Sequence, residues 1–139
     1  MSYINTHGVL QIRRPYLSIS LSWCTLCKRD MESIDHVLLH CQFALVIWNK
    51  IQMQFHLIAV LPSSWHDFLA IEWCFKGNKK KAKLPRWCCM AAAWSVWQER
   101  NARIFEDRFL EAQEVWSKIK SLASLWAFSS RVFWFIICF

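Results

Sequence analysis

Three cysteines and a histidine stand close together near the start of the chain: Cys24-Thr25-Leu26-Cys27, then His36, then Cys41. The gaps between them are two, eight and four residues. Thiolate and imidazole are the soft to borderline ligands that Zn²⁺ takes in a tetrahedron. Two cysteines separated by two residues form a tight knuckle that sets both sulfurs on one metal. A histidine and a cysteine five positions apart can both face inward from the start of a helix. Four protein ligands close the shell and leave no position for a water, which favours a structural site over a catalytic one. His40 competes with His36, but it adjoins Cys41, and adjacent side chains point in different directions; the spacing favours His36. The competing reading is a set of buried thiols beside a surface histidine. Three cysteines and a histidine within 18 residues, in this order, argue against it. Cys74, Cys88, Cys89 and Cys138 have neither ligand-like spacing nor a nearby histidine, and read as core packing.

The elements that must position this cluster are mostly helical. Residues 1–22 form an extended or irregular lead-in, where Leu17, Ile19 and Leu21 alternate with serines. Residues 23–56 make a metal module with a following helix, whose Ala44, Ile47, Trp48, Ile51 and Phe55 fall on one face. Leu61-Pro62-Ser63-Ser64 breaks that helix and offers Ser63 or Ser64 as a cap for a shorter one, Trp65 to Phe75. Residues 57–128 form a helical segment with a basic loop at 76–83. Pro85 suits the first turn of a longer helix to about Glu106, with Trp87, Met90, Ala91, Trp94, Trp97, Ile104 and Phe105 at helical spacing. A last helix is expected from about Leu110 to Leu125, with Ala112, Val115, Ile119, Leu122 and Trp126 on one stripe, before a hydrophobic tail at 129–139. The expected fold class is mostly α: a small zinc-stabilised module followed by three or four packed helices.

Composition agrees. The 139 residues suit one domain, and at 55% apolar and 19% charged they are not disordered. Two glycines and three prolines are too few for a sandwich or barrel of many tight turns. The net charge of +7 is spread along the chain, with one dense run at Lys76, Lys79, Lys80, Lys81 and Lys83. That run can track a nucleic-acid backbone or simply solubilise a loop. Glu99, Arg100, Arg103, Glu106 and Asp107 read as a solvated helix face with local ion pairs more readily than as a phosphate-contacting face. Trp23 and Trp48 can stack bases, although packing around the metal module is the commoner role. The odd cysteine count and the lack of a signal-peptide pattern in Met1–Ser22 point to a reducing, intracellular compartment, cytoplasmic or nuclear. The greasy tail Val132–Phe139 is too short to span a bilayer by itself.

The residues also resemble a known family. Cys24-Thr25-Leu26-Cys27, Glu32-Ser33, His36-Val37-Leu38-Leu39-His40-Cys41, and Ala44 followed by Ile47-Trp48 look like the zinc-binding domain that follows the reverse transcriptase in plant LINE-type (non-LTR) retrotransposons. Leu10-Gln11-Ile12-Arg13-Arg14 upstream fits as well, and Trp94-Ser95-Val96-Trp97-Gln98-Glu99-Arg100-Asn101 is similar to a second block of those polyproteins. The resemblance implies Zn²⁺ as cofactor and, as partners, RNA or DNA and a reverse transcriptase domain of the parent polyprotein. Arg13 and Arg14, with Lys76, Lys79, Lys80, Lys81 and Lys83, are the candidate nucleic-acid contacts. The sequence lacks the Tyr-x-Asp-Asp carboxylates of a polymerase, and its four Asp, at 30, 35, 67 and 107, are scattered. The expectation is a non-catalytic zinc-binding fragment, with no membrane and no small-molecule substrate. The alternatives are a protein-interaction scaffold acting through Trp94, Trp97 and Trp116, or a translated relic without function.

Overall fold

The computed structural model describes residues 23–57, 60–70 and 83–137, with Lys83 and 130–137 described by backbone alone. It is mostly α, as the sequence leads one to expect. A π-helical turn, His36–His40, precedes α1 (Gln42–Phe55), α2 (Trp65–Ala70), α3 (Lys83–Phe105) and α4 (Ala112–Ile137). Among the described residues the only β pairing is an isolated antiparallel bridge between Trp23 and Met31.

The α1 stripe folds as its periodicity dictates: Ala44, Ile47, Trp48 and Ile51 are buried. The helix ends where His56 turns left-handed (φ 51°) and Leu57 N–H reaches back to the Gln52 carbonyl at 2.9 Å. Glycine takes this position without a Cβ penalty. His56→Gly is therefore expected to stabilise the chain by about 0.5–1 kcal/mol, read as a higher urea midpoint with an unchanged slope. Ser64 caps α2 through Oγ, which accepts the Asp67 N–H at 3.0 Å. The helix lays Phe68 against Trp48, with ring centroids 5.1 Å apart. The part of the expected helix beyond Ala70 lies outside the described residues, as do the extended lead-in and residues 76–82 of the basic loop, whereas Lys83, expected in that loop, begins α3.

The α3 and α4 pair forms the largest helix contact, and α1 packs against both. Its buried stripe differs from the expected one. Met90, Trp94 and Phe105 are exposed, whereas Cys88, Cys89, Ala91, Ala92, Ser95 and Val96 are buried. Small residues let neighbouring helices approach closely on two sides, so Met90, Trp94 and Phe105 are turned outward while Trp87 and Trp97 stay half-buried against the core. The last helix also runs past Leu125 to Ile137, because neither glycine nor proline interrupts it. Its start follows Glu111, whose N–H is accepted by the Glu114 carboxylate at 2.9 Å, half of a capping box.

Candidate metal centre

The first two candidate ligands lie in a turn that the Trp23–Met31 bridge closes. Cys24 N–H donates to the Asp30 carbonyl at 2.8 Å, and Lys28 N–H donates to the Cys24 carbonyl at 2.8 Å. Lys28 adopts a left-handed conformation (φ 55°), which lets the chain double back after Cys27. The other two flank the π-helical turn. Ser33 starts it: Oγ accepts His36 N–H at 3.0 Å, and its carbonyl accepts Val37 N–H at 2.9 Å. In an α-helix, residues five apart point about 140° away from each other. Here Cys41 N–H bonds the His36 carbonyl at 2.6 Å, a five-residue step that brings positions 36 and 41 to one side. Trp48 holds the turn from α1, its indole N–H donating to the Leu38 carbonyl at 2.7 Å.

The outcome is a compact donor set. One ligand atom from each of Cys24, Cys27, His36 and Cys41 lies within 4.8 Å of all the others. Cys24 and Cys41 sulfurs are 3.8 Å apart, and Cys27 Sγ is 3.3 Å from His36 Nε2. With zinc–sulfur bonds of about 2.3 Å, two thiolates on a tetrahedral Zn²⁺ stand about 3.8 Å apart, so the residues fit that ion. The hydrogen bond shared with Cys41 holds the Cys24 thiol well below the ordinary thiol range; burial opposes this, and the Cys27 and Leu26 amides reinforce it. The same hydrogen bond, together with burial, pushes Cys41 up. A bound cation takes both sulfurs as thiolates, so metal binding releases protons here. His40 does not join them: its Nε2–H donates to the Ser63 carbonyl at 3.1 Å, tying the π-helical turn to the approach to α2.

Cys88 and Cys89 pack in the core, and burial pushes their thiols up to about 11 and about 12. They are inert packing thiols. Cys74 and Cys138 lie outside the described residues, as do Arg13, Arg14, Lys76, Lys79, Lys80 and Lys81; of Lys83 only the backbone is described. Trp48 is buried and packs, rather than offering a face to a base.

The charged run on α3 overturns the expectation of a solvated face. Arg100 is fully buried, and its guanidinium forks onto the buried Glu32 of the knuckle, Nη2 to Oε1 and Nε to Oε2. Arg103 pairs with Glu99 at 2.8 Å and donates to the Leu26 carbonyl, between the first two cysteines, at 3.4 Å. It also donates to the Leu110 carbonyl at 3.1 Å, while the Leu110 N–H donates to Glu99 at 2.9 Å. Phe43 and Phe109 flank its guanidinium, at 4.9 Å and 5.4 Å. These residues clamp the knuckle to α3 and to the start of α4. Glu106 and Asp107 stay exposed, as expected. Sequence reasoning missed the clamp because Glu32 and Arg100 are 68 positions apart and no local spacing links them.

A closed set of three thiols and one imidazole, on a knuckle and a helical turn, defines a structural metal site of the zinc-binding class. Residues 3–48 match the model of the family described as zinc-binding in reverse transcriptase, and that stretch holds all four donors. No curated protein and no solved structure matches the chain. Among the described residues, no helix is long and apolar enough to cross a membrane.

Proposed function

We propose that Cys24, Cys27, His36 and Cys41 bind one structural Zn²⁺ in a retrotransposon-derived reverse transcriptase zinc-binding domain of the plant LINE type. It catalyses nothing by itself, and its role is to hold RNA or DNA beside a polymerase. The observation that carries this reading is the converged donor set within the matched stretch. The net charge of +7 supports a phosphate-bearing partner. Arg13, Arg14, Lys83 and the Lys76–Lys81 run supply the backbone contacts, which carry no sequence information.

Titration of the zinc-loaded chain with single-stranded RNA at several salt concentrations tests it. Log affinity is expected to fall linearly with log salt, by about 0.7 per phosphate contacted. Lys79→Ala, Lys80→Ala and Lys81→Ala together should weaken all sequences alike. Binding that is undetectable at micromolar protein, or that ignores salt, removes this function.

A second reading has its own observation. Leu38, Trp87, Met90, Trp94, Trp97 and Trp126 line an apolar groove of about 720 Å³. It suits a protein partner whose binding salt barely changes. Trp116 takes no part in it, being buried under Lys120.

A further inference from the structure

The turn that carries Cys24 and Cys27 presents an outer surface that neither the metal donors nor the Arg100–Glu32 clamp uses. Trp23 and Met31 are partners across the antiparallel bridge, so their side chains lie side by side on the turn. Both are large and apolar, yet 49% and 63% exposed. Lys28 and Arg29, at the tip between them, are exposed, and neither forms an ion pair among the described residues. Asp30 is the one acidic neighbour in the turn, leaving a net charge of +1 over residues 23–31 once buried Glu32 is set aside with Arg100.

We propose that this tip, formed by Trp23, Met31, Lys28 and Arg29, is a contact site for single-stranded nucleic acid. An unstacked base lies on the Trp23 indole with Met31 at its edge, and the two cations take the flanking phosphates. A duplex does not fit this chemistry, because its bases offer no free face; a single strand does. The tip is cross-braced before any ligand arrives. The bridge closes it, the Cys24–Asp30 hydrogen bond closes it again, and Arg103 holds the Leu26 carbonyl from below. A stacking platform that is already ordered loses little entropy on binding. The side chains that face inward from the same turn, Cys24 and Leu26, are buried, so the outward ones can change without disturbing the core.

The site rests on the nucleic-acid role proposed above, and the test separates the two. The zinc-loaded full chain is titrated with a fluorescent 12-nucleotide uridine-rich RNA at two salt concentrations. Trp23→Ala is expected to weaken binding about 5- to 150-fold, the loss of one base–aromatic stack, without changing the salt slope. Trp23→Phe keeps a ring and is expected to retain most of the affinity. Lys28→Asn with Arg29→Gln is expected to lower the salt slope by about 1.4, two phosphate contacts' worth; asparagine tolerates the left-handed backbone at position 28. Zinc stoichiometry and helical circular dichroism equal to wild type show that the variants are folded. If Trp23→Ala does misfold, the Trp23→Phe and cation variants still decide. Salt-dependent binding that all these variants leave unchanged overturns the tip as the site and spares the nucleic-acid role. No binding by the wild-type chain overturns both.

Discussion

Cys24→Ser is expected to abolish zinc binding and to disorder the segment from Trp23 to Cys41. Elemental analysis of the wild-type chain should find one zinc per molecule, and of the variant none. Structural zinc contributes on the order of 10 kcal/mol to the folding of zinc-finger peptides, more than a domain's usual margin of about 5–15 kcal/mol can lose safely. The segment has little regular structure of its own, one isolated bridge and a single helical turn, and apart from the metal it is held from α1 and α3 by Trp48, Arg100 and Arg103. Yet Cys24, Leu26, Val37, Leu38, Leu39 and Cys41 belong to the same buried cluster as α1, α3 and α4. Loss of the metal should therefore reach the helices as well, reducing amide-exchange protection around Ala44–Ile51 and Ala91–Val96. Cys89→Ala removes a thiol of similar burial from α3 and should leave zinc content and the order of 23–41 intact. A wild-type chain without stoichiometric zinc, or equal disorder from the two substitutions, contradicts the assignment.

What the sequence revealed depended on whether the relevant residues are neighbours in it. The metal cluster was legible because its four donors fall within one short stretch and the knuckle is a local structure. His36 won over His40 on spacing, and the π-helical turn supplies the reason, since it puts positions 36 and 41 on one side. The α1 stripe was legible because one continuous face is buried. On α3 the same reasoning went astray. Hydrophobic spacing favours large side chains, but this helix is approached by both α1 and α4, and alanine, cysteine and serine permit that contact. The end of α4 is not legible because a change in composition is not a stop signal, and neither glycine nor proline stands between Leu125 and Ile137 to supply one. At the beginning of that helix competing hydrogen bonds exist, for Glu99 and Arg103 take both backbone groups of Leu110 and keep it outside.

Arg100→Met is expected to destabilise the zinc-loaded chain by about 3–5 kcal/mol, because it strands the Glu32 carboxylate in a buried site. An exposed helical ion pair, the arrangement its sequence suggests, would contribute about 0.3–0.5 kcal/mol, so the size of the loss separates the two descriptions. Glu32→Gln should also be costly, since it leaves the Arg100 charge without its partner. The double variant Arg100→Met with Glu32→Leu removes both charges and fills much of their volume, and should recover most of the loss. Urea unfolding of the four proteins, all with zinc bound, gives the coupling between the positions directly. Amide exchange then shows where the single variants fail. Residues 23–31 should lose protection before α3 and α4 do, because Arg100 is the buried bond between knuckle and helix, while the helices retain their own contact. A loss below about 1 kcal/mol in both single variants would mean that the clamp does not hold the knuckle. A loss of the expected size would extend the folding unit of the metal site well past Trp48, where the family match ends, to the helices that carry its ion-pair partners.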